Sequence, residues 1–448
     1  MRTNLVFIFI IIAIPLNAQS WKSVGHTSFS AGEAFSQCLA LDGETPYVAY
    51  TDRENDRKAT VMKFQDNTWV PLGKEGFTDG EANEMSLRIS NGTPYLAFID
   101  GANDDRASVM SYSGSGWAYV GTAGFSPGSA ANIDLAISNG VPYIAFEDYA
   151  NNTKATVMKF NGGEWETVGA AGFTTSSLAS VISLAVEGST PYMSYRDYDA
   201  DYKVSVMKYN NANSQWELLG QHGFGGGTHD AENCLAVRAG VPYVATWNAE
   251  AKATVYTYQG AAWGVVGTDG FSAGQARYLS IDFSNDGVLY VVYGDYENFN
   301  KATVVKYNGA NWIPVGEAAS DGDATNISIA ISDAGTPFIA FRDNYHMRGT
   351  TVMKYGDFAS VDNASMNSDF NIFPNPSGGV FTIELRDGEY QLKIVNQLGQ
   401  TVLKKESNFK TRLNIDLSDE APGIYQLIIS DKDKVLTSRK LLMTHKDN

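Results

Sequence analysis

The sequence has few of the residues that enzymes most often use for catalysis. Histidine occurs 5 times and cysteine twice in 448 residues. No G-x-S-x-G, H-E-x-x-H or P-loop motif is present, so no serine-hydrolase turn, zinc-protease helix or nucleotide-binding loop is indicated. We therefore expect no metal and no cofactor, and a binding protein is favoured over an enzyme.

Long apolar segments are also scarce. The one clear run, residues 5–14, follows Arg2 and precedes Leu16-Asn17-Ala18, which is the pattern of a cleaved secretory signal. A membrane-spanning helix needs about 20 apolar residues, so this run is too short to be one. We expect residues 1–18 to be a signal peptide. No cysteine follows the cleavage site, which argues against a lipoprotein, and we expect no membrane insertion.

Basic residues are too few to balance the acidic ones. The formal net charge is −17, and nearly all of it lies before residue 361. Such a surface repels phosphate backbones and anionic lipids, which argues against nucleic-acid and membrane partners. We expect a soluble monomer.

A repeat of 47 to 51 residues fills most of the chain. Each copy contains a W-x-x-[VL]-[GL] segment, a segment close to K-A-T-V-M-K-Y, and one close to P-Y-x-A-[FY]-x-D. Seven tryptophans mark the first of these segments: Trp21, Trp69, Trp117, Trp165, Trp216, Trp263 and Trp312. Self-similarity at this period is typical of propellers and solenoids.

Each copy reads as four short antiparallel strands. In the third copy these are residues 133–138, 142–147, 154–160 and 165–169, with Asn-Gly and Gly-Gly turns after the first and third. The chain begins with a lone Trp21 strand, and the seventh copy lacks its Trp strand. Pairing the two closes a ring and removes two open sheet edges. We predict an all-β fold, with a seven-bladed β-propeller of four-stranded blades over residues 19–360.

A different pattern follows a polar linker at residues 361–369. It contains FNIFPNPSGG at 370–379, LGQTV at 398–402, NIDLS at 414–418, GIY at 423–425 and RKLL at 439–442. Alternating strands here indicate a small β-sandwich over residues 370–448. The segment resembles the type A C-terminal sorting domain of the Bacteroidetes type IX secretion system. The resemblance implies that this machinery is a partner, and that the protein is secreted or held at the outer cell surface. The propeller repeat itself is similar to one found in uncharacterised secreted bacterial proteins.

Two repeated side chains are expected to be structural. An aspartate ends each P-Y-x-A-[FY]-x-D segment in six of the copies, with Asn248 in the fifth. One carboxylate per loop is a poor cage for calcium, so we expect it to cap its own loop or pair with the following basic residue. The phenylalanine of a recurring G-F-S segment is expected to wedge between blades. Cys38 and Cys234 occupy equivalent positions three blades apart, too far for a disulfide.

Function is expected where the sevenfold symmetry breaks, on the face that carries the longer loops. The residue before the repeated aspartate varies most, and aromatic and basic residues lie near it. The candidate ligand-binding residues are Glu147, Arg196, Trp247, Arg342, Tyr149, Tyr198, Tyr296, Tyr345, His346 and His229.

Two functions fit these residues. The first is a secreted or surface-bound module that binds a glycan or a surface protein. The second is an extracellular polysaccharide lyase or glycoside hydrolase, for which Tyr345, His346, Arg342 and Arg196 would be the reacting groups. The acidic composition offers few basic loop residues to neutralise a uronate, which favours binding.

Overall fold

The computed structural model describes residues 19–227, 232–356, 371–373, 377–384, 389–396, 400–406, 412–431 and 434–444. The chain divides into two compact units, Met1–Ala359 and Ser360–Asn448. The expected signal peptide and linker lie outside the described residues. None of the helices in the described part of the chain is long and apolar enough to cross a bilayer.

The first unit is the seven-bladed propeller that the repeat predicts, built of four-stranded antiparallel sheets. Its first strand in the chain is β1 (Ser20–Ser23). Blade one is β2 (Ala34–Asp42), β3 (Thr45–Asp52), β4 (Ala59–Gln65) and β5 (Thr68–Pro71). Blade two is β6 (Ala82–Ser90), β7 (Thr93–Asp100), β8 (Arg106–Tyr112) and β9 (Trp117–Tyr119). Blade three is β10 (Ala130–Ser138), β11 (Val141–Asp148), β12 (Lys154–Phe160) and β13 (Trp165–Thr167).

The remaining blades repeat this order. Blade four is β14 (Ala179–Glu187), β15 (Thr190–Asp197), β16 (Lys203–Asn210) and β17 (Gln215–Leu218). Blade five is β18 (Cys234–Arg238), β19 (Val241–Trp247), β20 (Ala253–Gln259) and β21 (Ala262–Val265). Blade six is β22 (Ala276–Phe283), β23 (Leu289–Asp295), β24 (Lys301–Tyr307) and β25 (Trp312–Pro314). Blade seven is β26 (Ala324–Ile331), β27 (Pro337–Asp343) and β28 (Gly349–Gly356), with β1 as its outer strand.

The ring closes through β1, as the phase of the repeat predicts. This strand pairs antiparallel with β28, and Trp21 lies opposite Tyr355. Pairing of the two ends of the propeller satisfies backbone groups that would otherwise form an open sheet edge. Each blade is therefore complete.

Stacked pairs of phenylalanine and tryptophan join neighbouring blades at six of the seven junctions. Phe125 stacks on Trp165 with 4.2 Å between ring centroids, and the Trp165 Nε1 donates to the Val120 carbonyl at 2.7 Å. Gly121 approaches these rings with φ of +78°, where a side chain would be strained and its Cβ would lie 3.0 Å from Phe160. The expectation that the repeated phenylalanine packs between blades is confirmed in six copies: Phe29, Phe77, Phe125, Phe173, Phe224 and Phe271.

The first strand of each blade lines the central channel, and we call these the inner strands. Side-chain hydrogen bonds, and not strand pairing, join the inner strands of neighbouring blades. The Asp134 carboxylate accepts from the Leu184 N–H at 2.8 Å, and the Ser86 hydroxyl accepts from the Leu135 N–H at 3.2 Å. Each bond runs from a side chain of one blade to a backbone N–H of the next. Cys38 and Cys234 occupy this same ring position and are free thiols, as predicted. Burial raises their pKa to about 12 and about 11, so neither is a reactive thiolate.

The second unit consists of two small sheets. One contains β29 (Asn371–Phe373), β30 (Val380–Glu384) and β33 (Arg412–Asp416); the other contains β31 (Gln391–Val395), β32 (Thr401–Glu406), β34 (Gly423–Asp431) and β35 (Lys434–Met443). Buried side chains of both sheets form one core, with Phe381 and Ile415 from the first and Leu392 and Leu427 from the second. This arrangement is the predicted β-sandwich.

Candidate functional site

The repeated aspartates build the loops of the face that carries the second-to-third-strand loops, here called the loop face. In blade three the Asp148 carboxylate accepts from the Ala150 N–H at 3.0 Å, the Asn151 Nδ2 at 2.8 Å and the Thr156 hydroxyl at 2.7 Å. These bonds cap a short 3-10 turn, Tyr149–Asn151. The expected capping role is thus confirmed for Asp148, whose carboxylate is occupied by donors of its own loop, whereas Asp197 and Asp295 cap no turn.

The residue after the repeated aspartate begins a short turn on the loop face. In four blades that place, or the one after it, carries a tyrosine. About half of each side chain is exposed: Tyr149 52%, Tyr198 48%, Tyr296 56% and Tyr345 62%. We call these four residues the tyrosine crown. Tyr149 and Tyr345 stand on turns that Asp148 and Asp343 cap, whereas the turns of Tyr198 and Tyr296 have no side-chain cap. All four stand on short turns rather than on long segments, which limits the positions that their backbones can take.

The inner strands of six blades, all but blade five, contain a β-bulge. Its extra residue has φ near +50°: Ser36, Glu84, Asn132, Val181, Tyr278 and Asn326. A bulge leaves one residue without a partner on the neighbouring strand and redirects its side chain. Bulges here bring polar side chains to the mouth of the central channel. Glu232 is the blade-five residue at the equivalent place in the repeat.

One polar cluster joins blades two, three and four. The Asn132 backbone N–H donates to Glu84, its Nδ2 donates to Glu147 at 2.7 Å, and its Oδ1 accepts from the Val181 N–H at 2.9 Å. Burial raises the pKa of Glu84 and of Glu147, and for Glu147 the nearby Glu84 charge adds to the rise while Arg196 opposes it. Two carboxylates at the channel mouth thus bind one asparagine, Glu84 through its backbone N–H and Glu147 through its side-chain amide.

A second cluster joins blades five and six. Glu232 accepts from the Leu279 N–H at 3.0 Å, and its backbone carbonyl accepts from the Thr246 hydroxyl at 2.7 Å. Burial raises its pKa to about 7, although the charges of Arg277 and Arg196 oppose the rise. Burial also raises the pKa of Tyr278, and the Glu232 charge contributes to that shift.

Blade seven contributes a third group. Arg342 donates to Glu33 and lies over the Phe35 ring, with its guanidinium carbon 4.8 Å from the centroid. His346 pairs with the loop aspartate, with 3.0 Å between its Nδ1 and the Asp343 Oδ2. The Tyr345 ring meets the His346 ring edge-on at 4.9 Å. Arg342 is therefore held by the protein, whereas Tyr345 faces solvent.

Most of the residues expected from the sequence lie on this face, but they do not form one compact group. Glu147, Tyr149 and Arg196 are close enough that their charges influence one another, whereas Arg342, Tyr345 and His346 form a separate group in blade seven. Trp247 does not fit the expectation of a mouth residue, because its ring is 2% exposed and packs in the core between blades five and six. His229 lies outside the described residues.

Residues of the inner strands were missed by sequence reasoning: Glu84, Asn132, Glu232, Arg277 and Tyr278. All five lie within two residues of the ring position of Cys38 in their own copies, or next to the bulge. Aligning the seven copies shows that the bulge position carries five different residue types, nearly as many as the six at the position before the repeated aspartate. That variation was the available signal.

The channel below the mouth is lined by the first strands of all seven blades and encloses about 620 Å³. Asp134 is its most connected charge: it accepts from the Ser86 hydroxyl at 2.8 Å and from the Arg88 Nη2 at 3.0 Å. Asp134 therefore joins neighbouring blades through these bonds and is not left free to react. Among the described residues, no group of three or more His, Cys, Asp or Glu is arranged to hold a metal ion.

Comparison with known proteins decides the role of the second unit. Residues 371–444 match the family model of the secretion system C-terminal sorting domain. The tail is a sorting domain. The protein is therefore exported by the type IX secretion system to the cell surface or the medium, as the motifs of the tail predicted.

Other similarities are more limited. An endo-acting ulvan lyase from Formosa agariphila is 34% identical over 86 residues, which are 19% of this chain and 17% of that protein. The chain thus matches less than a fifth of its curated relative.

Among solved structures, an ulvan lyase described as a new family of polysaccharide lyase, bound to -[GlcA(1-4)Rha3S]-, is similar with a TM-score of 0.50. The two sequences are 13% identical, and the match covers 75% of this chain and 95% of the lyase chain. A mutant of the Aleuria aurantia lectin in complex with Fucα1-6GlcNAc has a TM-score of 0.44, 14% identity, and coverage of 66% and 99%. At these identities the likeness concerns the propeller fold alone.

Proposed function

We propose that the protein is an extracellular propeller that binds a saccharide on its loop face. The observation that carries this proposal is the tyrosine crown around a polar channel mouth. Tyrosine offers an apolar ring face and a polar hydroxyl, which suits the alternating C–H and hydroxyl surfaces of a sugar. Glu147, Asn132 and Arg196 supply fixed hydrogen-bonding groups inside the crown.

Pre-positioning favours binding on this face. The crown stands on short turns, two of which an aspartate caps, and the mouth groups are held by bonds between blades, so less conformational entropy is lost on binding. Export to the cell exterior places such a surface where polysaccharides are met. A partner protein that carries glycans would meet the same groups.

A second candidate is a polysaccharide lyase or a glycoside hydrolase. The specific observation in its favour is the blade-five and blade-six cluster, where a carboxyl of raised pKa, an arginine and a tyrosine lie together at the mouth. Such groups could neutralise a uronate and move a proton during elimination. The fold likeness to an ulvan lyase does not decide between these candidates, because propellers serve both purposes.

The test is a glycan array on the purified protein, run beside a polysaccharide-degradation assay on the same saccharides. Saccharide binding without shortening of the chain supports the binding module. Chains that shorten with unsaturated ends would establish the lyase instead. Absence of binding and of degradation over acidic and neutral glycans alike would contradict the saccharide proposal.

A further inference from the structure

In two blades a lysine covers an aromatic ring near the turn face, our name for the face that carries the first-to-second-strand and third-to-fourth-strand turns. The second residue of the P-Y-x-A-[FY]-x-D segment is aromatic in every copy. The Lys63 ammonium lies 5.3 Å from the centroid of the Tyr47 ring, and the Lys208 ammonium lies 5.2 Å from that of Tyr192. The electron-rich face of the ring attracts the ammonium. A lysine lies opposite the aromatic residue in five blades: Lys63, Lys159, Lys208, Lys306 and Lys354.

Blade two lacks this lysine. Ser111 lies there, opposite Tyr95. Tyr95 is half-buried, and no cation, hydrogen bond or ring contact is found for its side chain in the part of the chain that the structure describes. Blade five also lacks the lysine and has Thr257, but there Phe283 of blade six meets the Tyr243 ring edge-on at 5.1 Å. Blade two therefore leaves bare a ring face that blades one, four and five cover.

A cavity of about 630 Å³ takes the place of the missing lysine. It lies between blades two and three, and its lining includes Tyr95 and Ser111 of blade two and Pro142 of blade three. This volume is within the range of small-ligand sites. Of the residues that line it, Lys159 and Glu166 are charged, and they pair with each other at 3.2 Å. Their charges offset one another, so the lining carries no net charge that would repel a cation.

We propose that this cavity binds a lysine side chain of a partner protein, with the ammonium over the Tyr95 ring. The ligand takes the position that Lys63 and Lys208 take in their own blades, which shows that an unbranched alkylammonium reaches such a ring. Ser111 leaves the room for it. The acidity of the propeller, which carries nearly all of the net charge of −17, attracts a cationic partner. The cavity lies on the turn face, away from the tyrosine crown, and goes beyond the saccharide proposal.

The test is a saturation-transfer NMR titration of the purified protein, with its C-terminal domain, against Nα-acetyl-lysine amide. The comparison ligand is the same compound acetylated on its side-chain nitrogen, which keeps the alkyl chain but loses the charge. We expect the charged form to bind about fivefold more tightly, a ratio that a cation–π contact supplies. Ser111→Lys should abolish the preference, because its own ammonium would cover Tyr95. Five other blades carry lysine at this position, so the variant is compatible with the fold.

Ser115→Lys is the matched control. It adds the same charge to an exposed turn of blade two that does not line the cavity, so the preference should remain. A second pair of variants separates the ring from its hydroxyl. Tyr95→Phe should keep the preference, since blade seven has Phe338 at this position, whereas Tyr95→Leu should remove it.

Four outcomes overturn the proposal. They are no binding of the lysine compound, equal binding of its charged and acetylated forms, a preference that survives Ser111→Lys, and an equal loss in Ser115→Lys. A glucosamine oligosaccharide is titrated in parallel. If it binds in a Ser111-dependent way and the lysine compound does not, the cavity takes an amino sugar and the protein partner is overturned. Saccharide binding at the tyrosine crown is measured separately and is unaffected by any of these results.

Discussion

The Trp21 indole Nε1 donates a hydrogen bond to the Val315 carbonyl at 2.7 Å, across 294 residues of chain. The same bond recurs around the ring, for example from Trp69 to the Val24 carbonyl at 2.7 Å. Trp21 belongs to the strand that closes the ring, and we call its junction with β28 the seam. Its bond to Val315 joins blade seven to blade six in the same way as the other tryptophans join consecutive blades. The seam is closed both by strand pairing and by this bond.

Loss of the seam should destabilise the propeller. Trp21→Phe keeps an aromatic ring but leaves the Val315 carbonyl unpaired, so we expect a loss of about 1–2 kcal/mol in the free energy of unfolding. Deletion of residues 19–25 removes β1 and exposes the edge of β28, which should lower the midpoint of thermal unfolding much further. Calorimetry of both variants checks this, with Trp69→Phe as the control for a bond away from the seam. A deletion variant that melts like the parent would contradict closure by β1.

The inner ring offers a matched pair of serines. Ser86 accepts from the Leu135 N–H and donates to Asp134, whereas the Ser328 hydroxyl at the same repeat position is buried with no partner in the described residues. Ser86→Ala should cost about 0.5–1.5 kcal/mol, because it removes the hydroxyl that bonds both the Leu135 N–H and Asp134, while the Leu135 N–H keeps its bond to the Asp134 Oδ1 at 2.9 Å. Ser328→Ala should change stability little. Denaturant unfolding of both variants measures the difference, and equal losses would show that the ring bonds do not hold the blades together.

Glu232 gives a pH-dependent prediction. Its pKa is raised to about 7 in the folded protein, so between about pH 4.5 and 7 the folded state holds a proton that the unfolded state has lost. This carboxyl therefore makes stability fall as pH rises through that range, and the loss is complete above pH 7. The charged or titratable groups that face it in the described residues are Arg196 of blade four and Arg277 and Tyr278 of blade six.

Glu232→Gln keeps an acceptor for the Leu279 N–H and cannot ionise. We expect the variant to be more stable than the parent at pH 8 and equal to it at pH 4. Thermal unfolding across this range measures the difference. A difference that is the same at both pH values would show that Glu232 titrates normally.

The tail should be needed for export but not for folding of the propeller. None of the seven blades takes a strand from residues 371–444. Removal of residues 370–448 should leave a propeller with an unchanged melting profile that accumulates in the periplasm of the native host. Cell fractionation tests this, and fusion of residues 361–448 to a periplasmic carrier protein is the converse experiment. A truncated protein that still reaches the surface or the medium would show that another segment directs export.

Most of the fold could be predicted from the sequence because the same local residues recur in every blade or nearly every blade. Trp165, Phe125 and Gly121 recur in copy after copy, and each has one role that does not change around the ring. The side chains at the channel mouth were harder to predict from the sequence, because the bulge adds a residue to the inner strand and changes which side chains reach the channel. Trp247 was expected at the mouth by its position and is buried, whereas Arg277 was passed over as a strand residue and is exposed.

The central claim is that the tyrosine crown binds saccharide. Its most direct test is calorimetric titration of a saccharide identified on the array, with the parent protein and a variant in which Tyr149, Tyr198, Tyr296 and Tyr345 are alanine. The control is Glu164→Ala, which changes an exposed residue in a turn on the opposite face. We predict that the fourfold variant keeps its melting profile and loses at least tenfold in affinity, about 1.4 kcal/mol, while the control is unchanged. Equal affinity of the fourfold variant and the parent would contradict the claim.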